Sequence, residues 1–395
     1  MTGVTTPGAL SGITIIEVAE RPAGEYAGKL LADFGAEVIK IERVGGAPTR
    51  HMGPFRADDI GGESTLFGYL NTNKKSLVLD LANPAGRATL DKLLARANAL
   101  IDDHDEAWGT EHSLTSTAVA AAHPKLVHCI VTPFGQGAPP EWQKARPINV
   151  INAGGWAYHS PSEAAPDKPP LKGAGRFLPD YESGIDAAIC VLASLHRQRG
   201  VPKEKSGGQF IDISEVEVQV NRIDCVLDRM LAGEAEPGPE RTAYDMGGPS
   251  TSFACKDGHL YLFMTTQLHW QGLCTLMGDP AWAKEFPTDW LEFHCTRERV
   301  DDFREKIRPW IASQEKLPIT EAAQKLGLAM VPVNTAADIP MNEQFVHRGF
   351  FQEVAHPVFG SVAYPTVPYK LSASPVRIAS PAPALGAYDA ELGGV

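Results

Sequence analysis

Apolar positions along the N-terminal part of the chain fall into short blocks separated by amphipathic stretches. Ile13-Thr14-Ile15-Ile16-Glu17-Val18 reads as a buried strand, Ala23 to Phe34 repeats its apolar residues at helical spacing up to Gly35, and Glu37-Val38-Ile39-Lys40-Ile41-Glu42 reads as a second strand. Strand, helix and strand in about thirty residues make a βαβ unit. The pattern returns as strand Ser76 to Leu81, helix Pro84 to Arg96, and strands Ala99 to Asp102 and Leu126 to Thr132. An α/β chain with a doubly wound parallel sheet is predicted. Further on, an apolar stretch around Ala187 to Ala193 predicts a buried helix over Asp186 to Arg197, and Phe210-Ile211-Asp212-Ile213 another strand.

Between Gly233 and Glu240 the composition shifts to Gly, Pro and Glu, the mark of a linker, and a second domain is expected from there. That region predicts a hairpin of Ser252 to Ala254 with His259 to Met264, and helices near His269 to Met277 and Val300 to Ser313. The last sixty or so residues, with Pro365, Pro368, Pro375, Pro381 and Pro383, read as extended segments. A length of 395 residues agrees with two domains.

Open parallel sheets bind ligands beyond the carboxyl ends of their strands, where Arg21, Arg43 and the loop after Thr132 fall. The turn Ala19-Glu20-Arg21-Pro22-Ala23-Gly24 lacks the GxGxxG spacing that lets a backbone approach pyrophosphate, which argues against NAD or FAD. A net charge of −12 repels polyanions, so neither nucleic acid nor an anionic membrane is expected as partner. The six cysteines form no CxxC pair and no zinc spacing, so reduced thiols and no metal are expected. Neither a signal peptide nor an apolar run of membrane length is seen, and a soluble, cytoplasmic protein is the expectation.

Several segments together resemble the class III CoA-transferases, the CaiB/BaiF group. These are Leu10-Ser11-Gly12-Ile13, Ala23-Gly24, Leu31-Ala32-Asp33-Phe34-Gly35-Ala36-Glu37-Val38-Ile39-Lys40-Ile41-Glu42-Arg43, and Asn71-Thr72-Asn73-Lys74-Lys75-Ser76. Phe134-Gly135-Gln136-Gly137, Asp180-Tyr181-Glu182-Ser183-Gly184, Lys256-Asp257-Gly258, His356-Pro357 and Pro381-Ala382-Pro383-Ala384-Leu385-Gly386 follow in the same order. The resemblance implies a Rossmann-like large domain made from both chain ends (residues 1–225 and 331–395), a smaller inserted α+β domain (226–330), and two chains interlocked as a homodimer. It implies acyl-CoA and a free carboxylic acid as substrates, with no tightly bound cofactor.

By the same resemblance Asp180 is the nucleophile, although residue chemistry alone reads an Asp after Pro179 as a helix N-cap. Gly247 and Gly248 stand where some relatives place a glycine loop over the aspartate, and a plain turn is the simpler reading. Arg21, Pro22, Ala23, Arg43 and Thr72 fall where the family holds CoA, and Arg43 suits phosphate because a guanidinium donates two parallel hydrogen bonds. Asp103-His104-Asp105-Glu106-Ala107 replaces the usual Asn-Phe-Arg-Pro-Gly, so acidic residues are expected to face adenine and phosphate unless Lys144, Arg146 or a dimer partner compensates. Two alternatives are an α-methylacyl-CoA racemase, whose histidine is absent from Ala145-Arg146-Pro147-Ile148-Asn149, and a non-catalytic subunit of a hetero-oligomeric transferase. Trp156 and Tyr158 are candidates for an acyl pocket, or simply core aromatics.

Overall fold

The computed structural model describes residues 7–56, 58–156, 176–202, 205–222, 233 and 248–394. The chain divides into two compact units, one of Met1–Pro237 with Gly349–Val395 and the other of Gly238–Arg348.

The first unit is built on six parallel strands, β1 (Thr14–Glu17), β2 (Glu37–Glu42), β3 (Lys74–Val78), β4 (Ala99–Asp102), β5 (Val127–Thr132) and β6 (Phe210–Ser214), in the order β3-β2-β1-β4-β5-β6. Alternation along these strands sends side chains to two separate cores. Ile15, Val38, Ile101, Val127 and Val131 pack with Ala23, Ala27 and Leu31 of α1 (Pro22–Asp33) on one face, and Ile16, Ile39, Leu77 and Leu100 pack on the other with Leu90, Leu93 and Leu94. Short helices α2 (Thr65–Leu70), α3 (Pro84–Arg96), α4 (Glu106–Glu111), α5 (Ser116–Ala122) and α6 (Pro147–Ala153) fill the connections. The strand order reverses direction between β1 and β4, so the ends of those two strands flank a crevice, the usual ligand position in such sheets.

The helix predicted over Asp186 to Arg197 is longer, with α7 running from Leu178 to Gly200 and followed after β6 by α8 (Glu215–Asn221). Asp180 is therefore not the N-cap that residue chemistry suggested. Phe177 occupies that position, without a side-chain cap, and Asp180 lies in the first helical turn. The polar stretch Asp180 to Asp186 hid this start, because its hydroxyl, carboxylate and glycine residues break the apolar period. α7 packs closely on α1. Gly184 makes the approach possible, since a Cβ there would sit 2.7 Å from the Ala23 carbonyl oxygen.

The second unit holds an antiparallel sheet of β7 (Thr251–Cys255), β8 (Gly258–Phe263) and β9 (Ala329–Val333), with α9 (Gln267–Met277), α10 (Trp290–Phe293), α11 (Arg297–Ala312) and α12 (Lys316–Lys325). Trp270, Phe286, Trp290 and Phe303 centre its core. The chain then passes α13 (Glu343–His347) and returns to the first unit as β10 (Phe351–His356) and β11 (Gly360–Pro365), an antiparallel pair where the sequence suggested only extended segments. No helix among the described residues is long and apolar enough to cross a membrane.

The segment beyond β11 explains the Asn71 to Ser76 motif. Asn73, in a left-handed conformation, accepts from the amides of Ala379 and Ser380, and the Ser76 hydroxyl accepts from the Gly386 amide. Lys74, buried, lies 2.8 Å from Glu17 and donates to the Asn71 side chain at 2.9 Å, while Asn71 donates to Glu25 at 3.1 Å. Lys40 completes the network at 2.8 Å from Glu25 and 3.1 Å from Glu17. Gly28 leaves room for it, as a Cβ there would fall 1.7 Å from Glu17. This motif is structural: it ties β1, β2, β3 and α1 together and receives the returning chain.

Candidate active site

The crevice between the ends of β1 and β4 opens into a cavity of about 1190 Å³. Arg21 and Pro22 come to it from the turn after β1, Asp103 and His104 from the end of β4, and Lys144, Ala145 and Arg146 from the segment before α6. Asp180 comes from the first turn of α7.

Asp180 is 2 % exposed, and its Oδ2 has no hydrogen-bond partner among the described residues. Burial first, and the charge of Glu215 second, push its carboxyl well above the ordinary range, with Arg21 pulling the other way. An almost dry carboxyl with a free oxygen on a cavity wall can add to a bound electrophile while water is largely kept out.

Arg21 is fixed as it reaches the cavity. Its guanidinium donates to the backbone carbonyls of Gln143 (3.3 Å) and Ala145 (3.2 Å) and lies 3.7 Å from a carboxylate oxygen of Glu215. The turn carrying it is held by Asp103, whose carboxylate accepts from the amides of Glu20 (2.9 Å) and Arg21 (2.7 Å). Burial pushes the Asp103 carboxyl up to about 7, against His104 and those donors. Gly24 permits the approach, because a Cβ there would meet Ala19 at 2.4 Å and Asp103 at 3.0 Å.

The acidic run does not present a row of charges to the cavity. Asp103 is engaged by amides, Asp105 accepts from the Trp108 amide at the start of α4, and of these acids only Glu106 is exposed. His104 lies between, with Nδ1 2.7 Å from Asp102 and its ring stacked on Trp108 at 3.7 Å. Burial opposes its charge, but Asp102 outweighs that and raises the imidazolium to about 10. His104 is thus a fixed cation at neutral pH and ill suited to accept a proton from substrate.

Among the other expected residues, Arg43 lies beside a neighbouring cavity of about 520 Å³, which Glu20 and His104 also line, and its guanidinium is 3.2 Å from Glu20. Ala23 and Thr72 are fully buried and line neither cavity; the Thr72 hydroxyl accepts from Lys29 at 2.8 Å. Gly247 and Tyr158 lie outside the described residues. Gly248 belongs to the second unit, with φ +46° and its carbonyl accepting from Arg304 at 2.8 Å. Trp156 is half-buried, its indole N–H without a partner among the described residues. The Phe134 to Gly137 loop follows β5 and is tethered by Asp212, which accepts from the Gln136 amide.

Sequence reasoning missed Gln143, Arg176 and Phe177 on the cavity wall and Glu215 behind Arg21. Of these, only Glu215 leaves a signal, a glutamate directly after the buried Ile213-Ser214 end of a strand.

The family described as CoA-transferase family III matches residues 10–389. The chain is 26% identical over 389 residues to human succinyl-CoA:glutarate CoA-transferase, covering 97% of this chain and 85% of that protein. It is 27% identical over 392 residues to succinate–glutarate CoA-transferase of Agrobacterium fabrum, with 97% and 94% covered. It is 28% identical over 399 residues to the succinyl-CoA–L-malate CoA-transferase alpha subunit of Chloroflexus aurantiacus, with 97% and 89% covered. The fold is similar to that of a CAIB/BAIF family protein from Brucella suis, with a TM-score of 0.81 at 24% identity over 98% of this chain and 99% of that one.

Proposed function

The chain belongs to CoA-transferase family III, and we propose that it moves CoA from an acyl-CoA thioester to a free carboxylic acid through covalent intermediates on Asp180. The Asp180 carboxylate adds to the thioester carbonyl, and collapse of the adduct expels CoA thiolate and leaves a mixed anhydride. The thiolate attacks the aspartyl carbonyl, which releases the donor acid and forms an aspartyl-CoA thioester. The acceptor carboxylate attacks that thioester, and the freed thiolate takes the new acyl group from the resulting anhydride, restoring Asp180. Each bond formed replaces one broken, so no external energy source is needed.

One observation carries this reading: a nearly dry carboxyl with a free oxygen on the wall of a cavity of about 1190 Å³. An anhydride hydrolyses readily, and a site that admits little water protects it. Arg21, His104 and Lys144 line the CoA path, and Arg43 stands in the adjoining cavity for phosphate. Pro22 shapes the entrance and Asp103 stands on the wall, while Ala23 and Thr72 act from behind it. The oxyanion calls for backbone N–H donors, a role worth about 3 kcal/mol per donor in comparable sites. The working assembly is an interlocked homodimer.

The acids exchanged are assigned a second anionic group. Succinate, glutarate and malate, named in the relatives' activities, are dicarboxylates. Lys144, Arg146 and Arg176 line the same cavity as Asp180, and among the described residues none of them pairs with a carboxylate. The purified chain, given succinyl-CoA and a panel of mono- and dicarboxylic acids, is expected to form new thioesters with dicarboxylates, detected by mass spectrometry. Thioesters formed only from monocarboxylic acids would remove the substrate assignment. Absence of exchange by the single chain with any CoA ester would favour a subunit role instead.

A further inference from the structure

Glu215 is a buried acid without the partners a buried acid normally has. It is the first residue of α8, directly after β6, and is 0 % exposed. Neither carboxylate oxygen has a hydrogen-bond partner among the described residues. The Arg21 guanidinium lies 3.7 Å away, too far for a hydrogen bond. Leaving a buried carboxylate so poorly held is costly unless it serves the site.

Arg21 and Asp180 line one cavity, and the Arg21 charge acts on two buried carboxyls that each have a free oxygen, standing 3.7 Å from that of Glu215. With both ionised the trio would carry a net negative charge in a dry place; with one proton between them it is neutral. The cations Lys144, Arg146 and Arg176 lie along the same cavity wall, and most of the other acids nearby have partners of their own. On α7, Asp186 lies 2.9 Å and Glu182 3.9 Å from Arg222, and Glu182 accepts from Gln219 at 2.7 Å. On β6, Asp212 accepts from the Gln136 amide, and α6, also packed on α8, carries no ionisable side chain. Glu217 is the other acid of α8. Around Arg21, Glu20 pairs with Arg43, and Asp103 is held by backbone amides.

We propose that Glu215 is a positioning residue of this site, a second carboxyl that shares Arg21 with Asp180 and holds the proton Asp180 must release to become a nucleophile. The exchange balances: the O–H bond of the Asp180 carboxyl breaks, an O–H bond forms on Glu215, and the trio stays neutral. The proton stays on Glu215 while Asp180 is acylated and returns when the Asp180 carboxylate is restored. The inference rests on Asp180 as nucleophile for its purpose, but the shared proton can be measured without substrate.

Infrared difference spectra against Asp180→Asn would follow the Asp180 carboxyl band with pH in the wild type and in Glu215→Gln. The midpoint should fall by about one unit in Glu215→Gln, because a neutral amide leaves Arg21 to Asp180 alone. The reciprocal titration of Glu215 should fall similarly in Asp180→Asn, which keeps the test open if Glu215→Gln does not fold. In transfer assays the acid limb of kcat/KM should move down in Glu215→Gln and return towards the wild type in Glu215→Asp, a change that a packing role alone would not cause. Unmoved midpoints in both titrations would overturn the proposal. Moved midpoints in a protein that exchanges no CoA would overturn the transferase reading and leave the shared proton standing.

Discussion

At the scale of single residues, the protein accepts an unfavourable arrangement at one point. Asp180 and Glu215 are acids whose proton affinity burial raises above the ordinary carboxylate range, with Arg21 only partly opposing this. The unfolded chain releases those protons near pH 4, whereas the folded chain retains them to higher pH. In the window between, the folded state binds more protons, so these groups make stability fall as pH rises through it. Asp180→Asn removes one such group. It should therefore melt higher than the wild type at pH 8, with the difference shrinking towards pH 4, as thermal unfolding at a series of pH values would show. A variant that melts lower at every pH would mean that Asp180 is a stabilising contact rather than a strained functional group. Glu42 behaves oppositely. Burial resists its charge, yet Arg50, Lys40 and the Ser76 hydroxyl hold its carboxyl down at about 2, so its contribution is present above the ordinary range and is lost only as pH falls towards that value.

At the scale of elements, the site depends on how closely α1 and α7 meet. Gly184 lies one turn after Asp180 and leaves no room for a methyl group against the Ala23 carbonyl. Gly184→Ala should push the helices apart, costing about 1–3 kcal/mol and lowering turnover more than substrate affinity, as denaturant melts and steady-state kinetics would show. The ion network beneath α1 is a second support. Lys40→Met removes the cation that Glu17 and Glu25 share, leaving Glu17 to Lys74 and Glu25 to the Asn71 amide, and should cost about 3–5 kcal/mol, read by the same melts.

These elements also show what the sequence discloses. The strands of the sheet and α1 were legible because their apolar runs are short, β-branched and bounded by turns, and the family motif marked Asp180. The helical position of Asp180 was not legible, since a polar first turn has no apolar period. The β10 and β11 pair was hidden by surrounding prolines. Nor could the sequence distinguish the structural work of Asn71 to Ser76 and of Asp103 from ligand contact: an amide-bound carboxylate and a phosphate-facing one look alike until the partner is known.

At the scale of the whole molecule, a sheet in the order β3-β2-β1-β4-β5-β6 places its crevice between β1 and β4, and the candidate chemistry converges there from distant parts of the chain. Topology thus supplies the convergence that no local motif encodes. The proposed interlocking predicts that isotopically heavy and light homodimers, once mixed, exchange no subunits until unfolded, which native mass spectrometry can follow; rapid appearance of mixed dimers would exclude threading. The central claim, that Asp180 becomes covalently bonded during transfer, has a more direct test. Protein incubated with an acyl-CoA it uses, then treated with hydroxylamine and digested, should yield the Asp180 peptide as its hydroxamate, and Asp180→Ala should neither label nor exchange CoA. Exchange by Asp180→Ala at the wild-type rate would contradict the account.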